Sequence, residues 1–244
     1  MSKPLLTLVS ISGAQATGKS TLIRTLASSE TFLASLRPMP AATNIAVTPS
    51  FGTRLFERWS RRQLSTAPMP VADYDQIDAR GHREWFQRQL PGALSFEVET
   101  AAHHFRQHPQ PINLMLVDRW FPDIMAHTRI GLPKDDIAQR QIRRLCRERH
   151  EQLLLDLQRH FELTVISVFV PIAASQFEVV GQEGKFRATV DRAEFERLCL
   201  EEWPAVLDRQ PTVTISSSSM AARVLDVETA VRRTRATNGK PTTV

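Results

Sequence analysis

Apolar, β-branched runs recur at residues 5–12, 43–48, 112–118, 163–170 and 212–216, and between them the apolar positions take a helical spacing. Strands that alternate with helices predict a parallel sheet. Ile112-Asn113-Leu114-Met115-Leu116-Val117 is apolar at nearly every position, as a strand must be when helices cover both faces of the sheet. The expected fold is α/β, three-layered, with a parallel sheet of about five strands. Beyond the second run, Thr48-Pro49-Ser50-Phe51-Gly52-Thr53 reads as a loop, Arg54 to Gln63 as a helix, and Leu64 to Val71, with two prolines, as a mobile segment. Helical spacing resumes from Asp73 to about His108, with an interruption expected at Pro91-Gly92. A helical insertion over about 50–108 is long for a connection between two core strands, and such insertions carry substrate contacts.

The stretch 136–160 places Ile142, Leu145, Cys146, Leu153 and Leu157 on one helix face and Arg140, Arg143, Arg144 and Arg147 on the other. That second face reads either as solvated or as a phosphate-contacting stripe. Residues 1–235 are expected to form one domain, and the polar segment 236–244, with its Gly and Pro, a disordered tail.

Composition narrows the class. A chain of 244 residues with 42% hydrophobic content buries a full core. No stretch approaches the eighteen or so apolar residues of a membrane span, and Met1-Ser2-Lys3-Pro4 leads directly into a strand. The expectation is a cytoplasmic protein with no membrane partner. Cys146 and Cys199 have neither metal-ligand nor redox spacing and read as reduced core thiols. The net charge is +5, yet 26 arginines stand against 5 lysines. Genome base composition explains such a bias, and so does use of the planar guanidinium fork on phosphates. The pI of 9.8 permits a nucleic-acid partner without requiring one.

The sharpest signal follows the first strand. Gly13-Ala14-Gln15-Ala16-Thr17-Gly18-Lys19-Ser20 fits Gly-x-x-x-x-Gly-Lys-Ser/Thr, between an apolar run and a helical pattern at Leu22, Ile23 and Leu26. Glycines allow a tight turn whose N–H groups converge, and the following helix adds its positive end, so phosphates fit there. Lys19, solvent-facing without a ligand, would reach the β- and γ-phosphates, and the Ser20 hydroxyl would ligate Mg²⁺. Thr21 offers another hydroxyl.

The buried run 112–117 ends in Asp118-Arg119-Trp120, then Phe121-Pro122-Asp123. Ligands bind at the carboxyl ends of parallel strands, so Asp118 is placed to hold Mg²⁺ with Ser20 or to accept a proton, and Arg119 to lie beside a transferring phosphoryl group. Pro122 suits a first helical turn, and Asp123 reads as a first-turn acid favoured by the helix dipole.

Together, the phosphate loop, Asp-Arg-aromatic after the third strand and Val170-Pro171 after the fourth resemble the nucleoside and nucleoside-monophosphate kinases, the thymidylate kinase and nicotinamide riboside kinase-like group. The resemblance spans about residues 5 to 205 and implies a P-loop NTPase fold, ATP and Mg²⁺, and an arginine-bearing lid over 172–192, where Lys185, Arg187 and Arg192 are the candidate phosphate contacts. Family members often place a general base just after the second strand; here that stretch has no acid, which leaves Asp118 or Asp78 for the role. Asp78 sits in the acidic cluster Asp73-Tyr74-Asp75-Gln76-Ile77-Asp78, followed by Arg80 and Arg83.

The activity implied is ATP-dependent phosphoryl transfer. Arg-rich clusters at 54–62 and 140–149 favour an acceptor hydroxyl in nucleic acid, either a hydroxymethylated base, as for the phage enzymes that phosphorylate 5-hydroxymethyluracil in DNA, or a 5′ end, as for polynucleotide 5′-hydroxyl kinase. A free nucleoside or nucleoside monophosphate is the alternative acceptor. An NTPase working on a protein or nucleic-acid partner is the alternative of a different class.

Overall fold

The computed structural model describes residues 3–14, 17–36, 43–48, 83–133, 137–174, 192–207 and 211–238. Among these, strands β1 (Leu5–Ser12), β2 (Thr43–Thr48), β3 (Ile112–Asp118), β4 (Glu162–Phe169) and β5 (Val213–Thr214) form one sheet in the order β2-β3-β1-β4-β5. All pairings are parallel. Each strand lies where the apolar runs predict it. The fifth is the shortest, although the Ile215 amide extends the ladder by donating to the Phe169 carbonyl at 2.9 Å.

Side-chain alternation along β1 divides the core. Leu6 and Leu8 join Met115 and Val117 of β3 beneath α3 (Arg83–Gln107), α4 (Phe121–Gly131) and α5 (Ile137–His160). Val9 and Ile11 join Leu114, Leu116, Ile166 and Val168 against α1 (Lys19–Ser28), α2 (Glu30–Ser35) and α8 (Met220–Asn238). The result is the α/β, three-layer arrangement. A third apolar cluster, Ala14, Ala126, Phe169, Phe195, Leu198, Cys199 and Trp203, closes the carboxyl end of the sheet under α6 (Arg192–Glu202) and α7 (Pro204–Leu207). Cys146 and Cys199 are free, buried thiols, and burial raises the pKa of each.

Three sequence expectations need correction. Helix α3 runs unbroken through Pro91 and Gly92. Phe86, Leu90, Leu94, Val98, Ala102 and Phe105 bury one stripe on both sides of the proline. At about 1.5–3 kcal/mol per large buried side chain, that stripe outweighs the roughly 3 kcal/mol cost of proline inside a helix. At the other end of the chain, α8 continues to Asn238, so residues 236–238 are helical and not tail.

The third correction concerns Arg143, expected on the open face of α5. Its Nε and Nη2 donate to Glu202 Oε2 at 3.0 and 2.8 Å, and Arg129 Nη1 donates to Glu202 Oε1 at 3.0 Å. The Glu202 side chain is only 1% exposed, and a carboxylate so deeply buried requires such partners. Arg144 is engaged as well, with Glu148. The long insertion is described only from residue 83 onward; the Arg54–Gln63 helix, the 64–71 segment and the acidic cluster lie outside the described residues, as do 239–244.

The strand order places the site. From β1 the chain passes to α1 on one face, and from adjacent β3 it passes to α4 on the other. The connections diverge at the carboxyl ends of β1 and β3, the kind of switch point at which ligands bind in open parallel sheets.

Candidate active site

The loop after β1 is shaped by contacts that only glycine permits. Gly13 has φ +137°, and a Cβ on it would stand 2.3 Å from the Val170 carbonyl oxygen. Val170 is drawn there because its amide donates to Ser12 O at 2.9 Å. Gly18 sits at φ 86° as the N-cap of α1, and among the described residues no side-chain cap bonds that helix start. The first-turn amides thus retain their capacity to bind an anion. Gln15 and Ala16 lie outside the described residues; Ala14 is buried, and Thr17 folds its hydroxyl back onto Ala14 O at 3.1 Å.

Lys19 is not solvent-facing, as its motif position suggested. It is 6% exposed and its ammonium donates to the Ala14 carbonyl within its own loop. Burial, then the nearby Arg119 guanidinium, lowers its pKa to about 7, against the opposing pull of Asp118 and Asp123. Burial disfavours the charged ammonium here, and a nearby anion would favour it again.

Ser20 and Asp118, 98 residues apart in sequence, meet at the carboxyl end of β3: Ser20 Oγ donates to Asp118 Oδ2 at 3.0 Å. The other carboxylate oxygen, Oδ1, is buried with no hydrogen-bond partner among the described residues. The Ser20 hydroxyl and the Asp118 carboxylate, one of whose oxygens is unclaimed among the described residues, are hard oxygen donors of the kind Mg²⁺ takes. Thr21, next on the helix, is half-buried.

The turn after β3 is strained and braced. Arg119 holds φ 76°, a left-handed conformation that costs a non-glycine residue about 1–3 kcal/mol. Its amide donates to Ile11 O at 2.9 Å, which continues the β1–β3 ladder. Its Nη1 lies 3.4 Å from both Asp123 Oδ1 and His127 Nε2, and its Cζ sits 5.7 Å from the centroid of Phe195. His127 stays neutral: burial foremost, then Arg119 and Lys19, lower its pKa to about 3.

Asp123 does more than the expected first-turn acid. Fully buried, it accepts from the Trp120 amide at 3.0 Å as a helix cap and from the Gly13 amide at 3.2 Å. One carboxylate thereby fastens the phosphate loop to the Asp118–Arg119 turn. Its spacing from Trp120 signals a helix start; nothing in the sequence signals a partner 110 residues away.

Behind this turn, His150 of α5 stacks edge-on to Trp120 and Phe121, with centroids 5.8 and 5.4 Å away. Neither ring nitrogen has a partner among the described residues, and burial lowers its pKa to about 4. Because the folded value lies below the unfolded one, the stabilisation is complete above about pH 6.5 and is lost as pH falls toward 4, a loss of about 3 kcal/mol from this residue. Urea unfolding of the wild type and of His150→Leu across that window is expected to show a shallower pH slope in the variant. Equal slopes would rule His150 out as the source.

Of the remaining candidates, Arg192 opens α6 one turn before Phe195, the ring beneath Arg119, and its Nε and Nη2 are buried without partners among the described residues. Asp78, Lys185 and Arg187 lie outside the described residues, as does all of 172–192 except the 3-10 turn Ile172–Ala174 and Arg192. The structure thus brings together Gly13, Ala14, Thr17, Gly18, Lys19, Ser20, Asp118 and Arg119, and adds Asp123 and His127. Among the described residues, no helix is long and apolar enough to cross a membrane.

No family model matches the chain, and no curated protein does. Among solved structures it is similar to a thymidylate kinase from Candida albicans, at 12% identity with a TM-score of 0.49, over 97% of this chain and 92% of that one. An overlap that loose bears no weight on chemistry. The chain's own strand order and loop geometry make it a three-layer α/β protein with a phosphate-loop motif at the head of its central strand.

Proposed function

We propose that the chain is an ATP-dependent kinase that passes the γ-phosphate of ATP to a hydroxyl of a nucleic-acid-type acceptor. The observation that carries this reading is the pairing of Ser20 with Asp118 between Lys19 and the braced Arg119. Phosphoryl transfer asks a protein mainly for positioning and for fixed positive charge where the phosphoryl group moves, and this cluster supplies both. Ser20 and Asp118 would hold Mg²⁺, which neutralises charge on the β- and γ-phosphates. Lys19 and Arg119 would supply positive charge to the γ-phosphoryl group. The acceptor oxygen forms its bond to the γ-phosphorus as the bond to the bridging oxygen breaks, ADP leaves, and the hydroxyl proton passes to a carboxylate. Asp118 or Asp78 is the candidate acceptor for that proton. Arg192, with Lys185 and Arg187 on its N-terminal side, is the candidate for closing charge around the triphosphate.

Two acceptor classes compete. The basic clusters 54–62 and 140–149 favour a hydroxyl within DNA, such as a hydroxymethylated base or a 5′ end. The capture of Arg143 by Glu202 removes one phosphate contact from the second cluster and favours a free nucleoside or nucleoside monophosphate.

A γ-phosphate transfer screen over nucleosides, nucleotides, single- and double-stranded DNA and modified-base DNA separates them. If DNA is the acceptor, its affinity is expected to fall with salt at a log–log slope near −0.9 per phosphate contact on duplex. Arg147→Gln, an exposed residue of α5, is expected to flatten that slope by about one contact and leave ATP binding unchanged. Brisk phosphorylation of a free nucleoside, with no DNA binding at low salt, decides for the alternative. ATP hydrolysis that no hydroxyl acceptor redirects would mark an NTPase.

A further inference from the structure

The C-terminal helix sends a buried cation to the phosphate loop. Arg223, in the first turn of α8, is 2% exposed. Its Nη1 donates to Thr17 O at 2.8 Å, its Nε to Ser217 O at 3.0 Å, and its Nη2 to Ala174 O. Three separate segments meet on one planar fork: the loop after β1, the turn after β4 and the approach to α8. Each of these acceptors is a neutral carbonyl. A buried arginine paired with a carboxylate would cancel its own field; among the described residues Arg223 is hydrogen-bonded to carbonyls, which leave its positive charge in place.

The bond to Thr17 also has a directional consequence. In a trans peptide the C=O and the following N–H point in opposite directions. By holding the Thr17 carbonyl, Arg223 turns the Gly18 N–H away from α8, and with it fixes the left-handed Gly18 that starts α1.

We propose that Arg223 is a positioning residue for a polyphosphate ligand: from the C-terminal helix it orients the Thr17–Gly18 peptide and so sets the affinity of the loop for a nucleoside triphosphate. This rests on the nucleotide-binding reading above. A residue 206 positions away in sequence therefore tunes the loop without touching the ligand.

The competing role is purely architectural, a tether for α8. Arg235 supplies the control, because its Nη1 tethers the same helix to Leu36 O at the end of α2, a contact outside the loop.

The experiment is calorimetric titration of the full chain with MgATP and with inorganic triphosphate, for the wild type, Arg223→Lys, Arg223→Gln and Arg235→Gln. The Arg223→Gln variant is expected to weaken MgATP binding by roughly tenfold or more, within the usual range of site-to-site coupling, and Arg223→Lys to fall between it and the wild type. Arg235→Gln is expected to lower Tm with Kd unchanged. In turnover, the Arg223 variants should raise KM for ATP more than they lower kcat, the signature of lost ground-state binding. Folded Arg223 variants that bind MgATP within twofold of the wild type would overturn the proposal, as would an Arg235→Gln variant that loses as much affinity.

If neither Arg223 variant folds, hydrogen exchange on the wild type decides. MgATP is expected to slow exchange at Ser219–Val224 along with the loop, and an unchanged rate there overturns the proposal. A wild-type chain that binds neither MgATP nor inorganic triphosphate overturns the nucleotide reading instead.

Discussion

Lys19→Ala is expected to lower the rate of phosphoryl transfer by roughly 10²–10³-fold, the scale for removing one preorganised charge from a reacting phosphoryl group. The fold is expected to survive. Lys19 is buried, its charge disfavoured enough that its pKa falls to about 7, so the folded chain gains little from the ammonium. Among the described residues its hydrogen bond is to Ala14 O, which the Thr17 hydroxyl also serves at 3.1 Å. Transfer rate and Tm, measured side by side, separate the site from the scaffold. A variant with full activity would remove the kinase reading; a variant that unfolds would mean that the Lys19–Ala14 contact is structural.

Asp118→Asn is expected to cost a comparable factor, and the measurement is turnover at saturating ATP over a range of Mg²⁺ concentrations. The amide still accepts the Ser20 hydroxyl through its oxygen, so the contact at 3.0 Å and the fold persist. What disappears is the negative charge, and with it the hold on a cation or the capacity to take a proton. Partial rescue at high Mg²⁺ would assign Asp118 to the cation side and leave the proton to Asp78. A loss that Mg²⁺ does not relieve would assign the proton to Asp118. Wild-type turnover in this variant would reduce Asp118 to an acceptor for Ser20.

The hydrophobic pattern carried the architecture because a strand covered on both faces must be apolar at nearly every position, and a chain that alternates such strands with helices can only close as a layered parallel sheet. The Gly13 and Gly18 turn geometry was legible for a similar reason: such a turn demands residues of fixed type at fixed spacing, so it is written locally. Asp118 and Arg119 followed from the rule that ligands gather at the carboxyl ends of strands.

What remained hidden was non-local. The continuity of α3 through Pro91 depends on a buried stripe supplied by other elements, and local propensity argues against it. Lys19 reads as a free cation until the fold places Ala14 O beside it and removes the water. Arg143 looks like a phosphate contact until α6 brings Glu202 against it. The long-range contacts of Asp123 and Arg223 carry no motif, because their partners, Gly13 and Thr17, are brought to them only when sheet and helices pack. Spacing along the chain records which residues can share one helix face or one strand face. Which buried donor meets which acceptor across more than a hundred residues is decided by the energy of packing the layers together, and only the tertiary structure contains that answer.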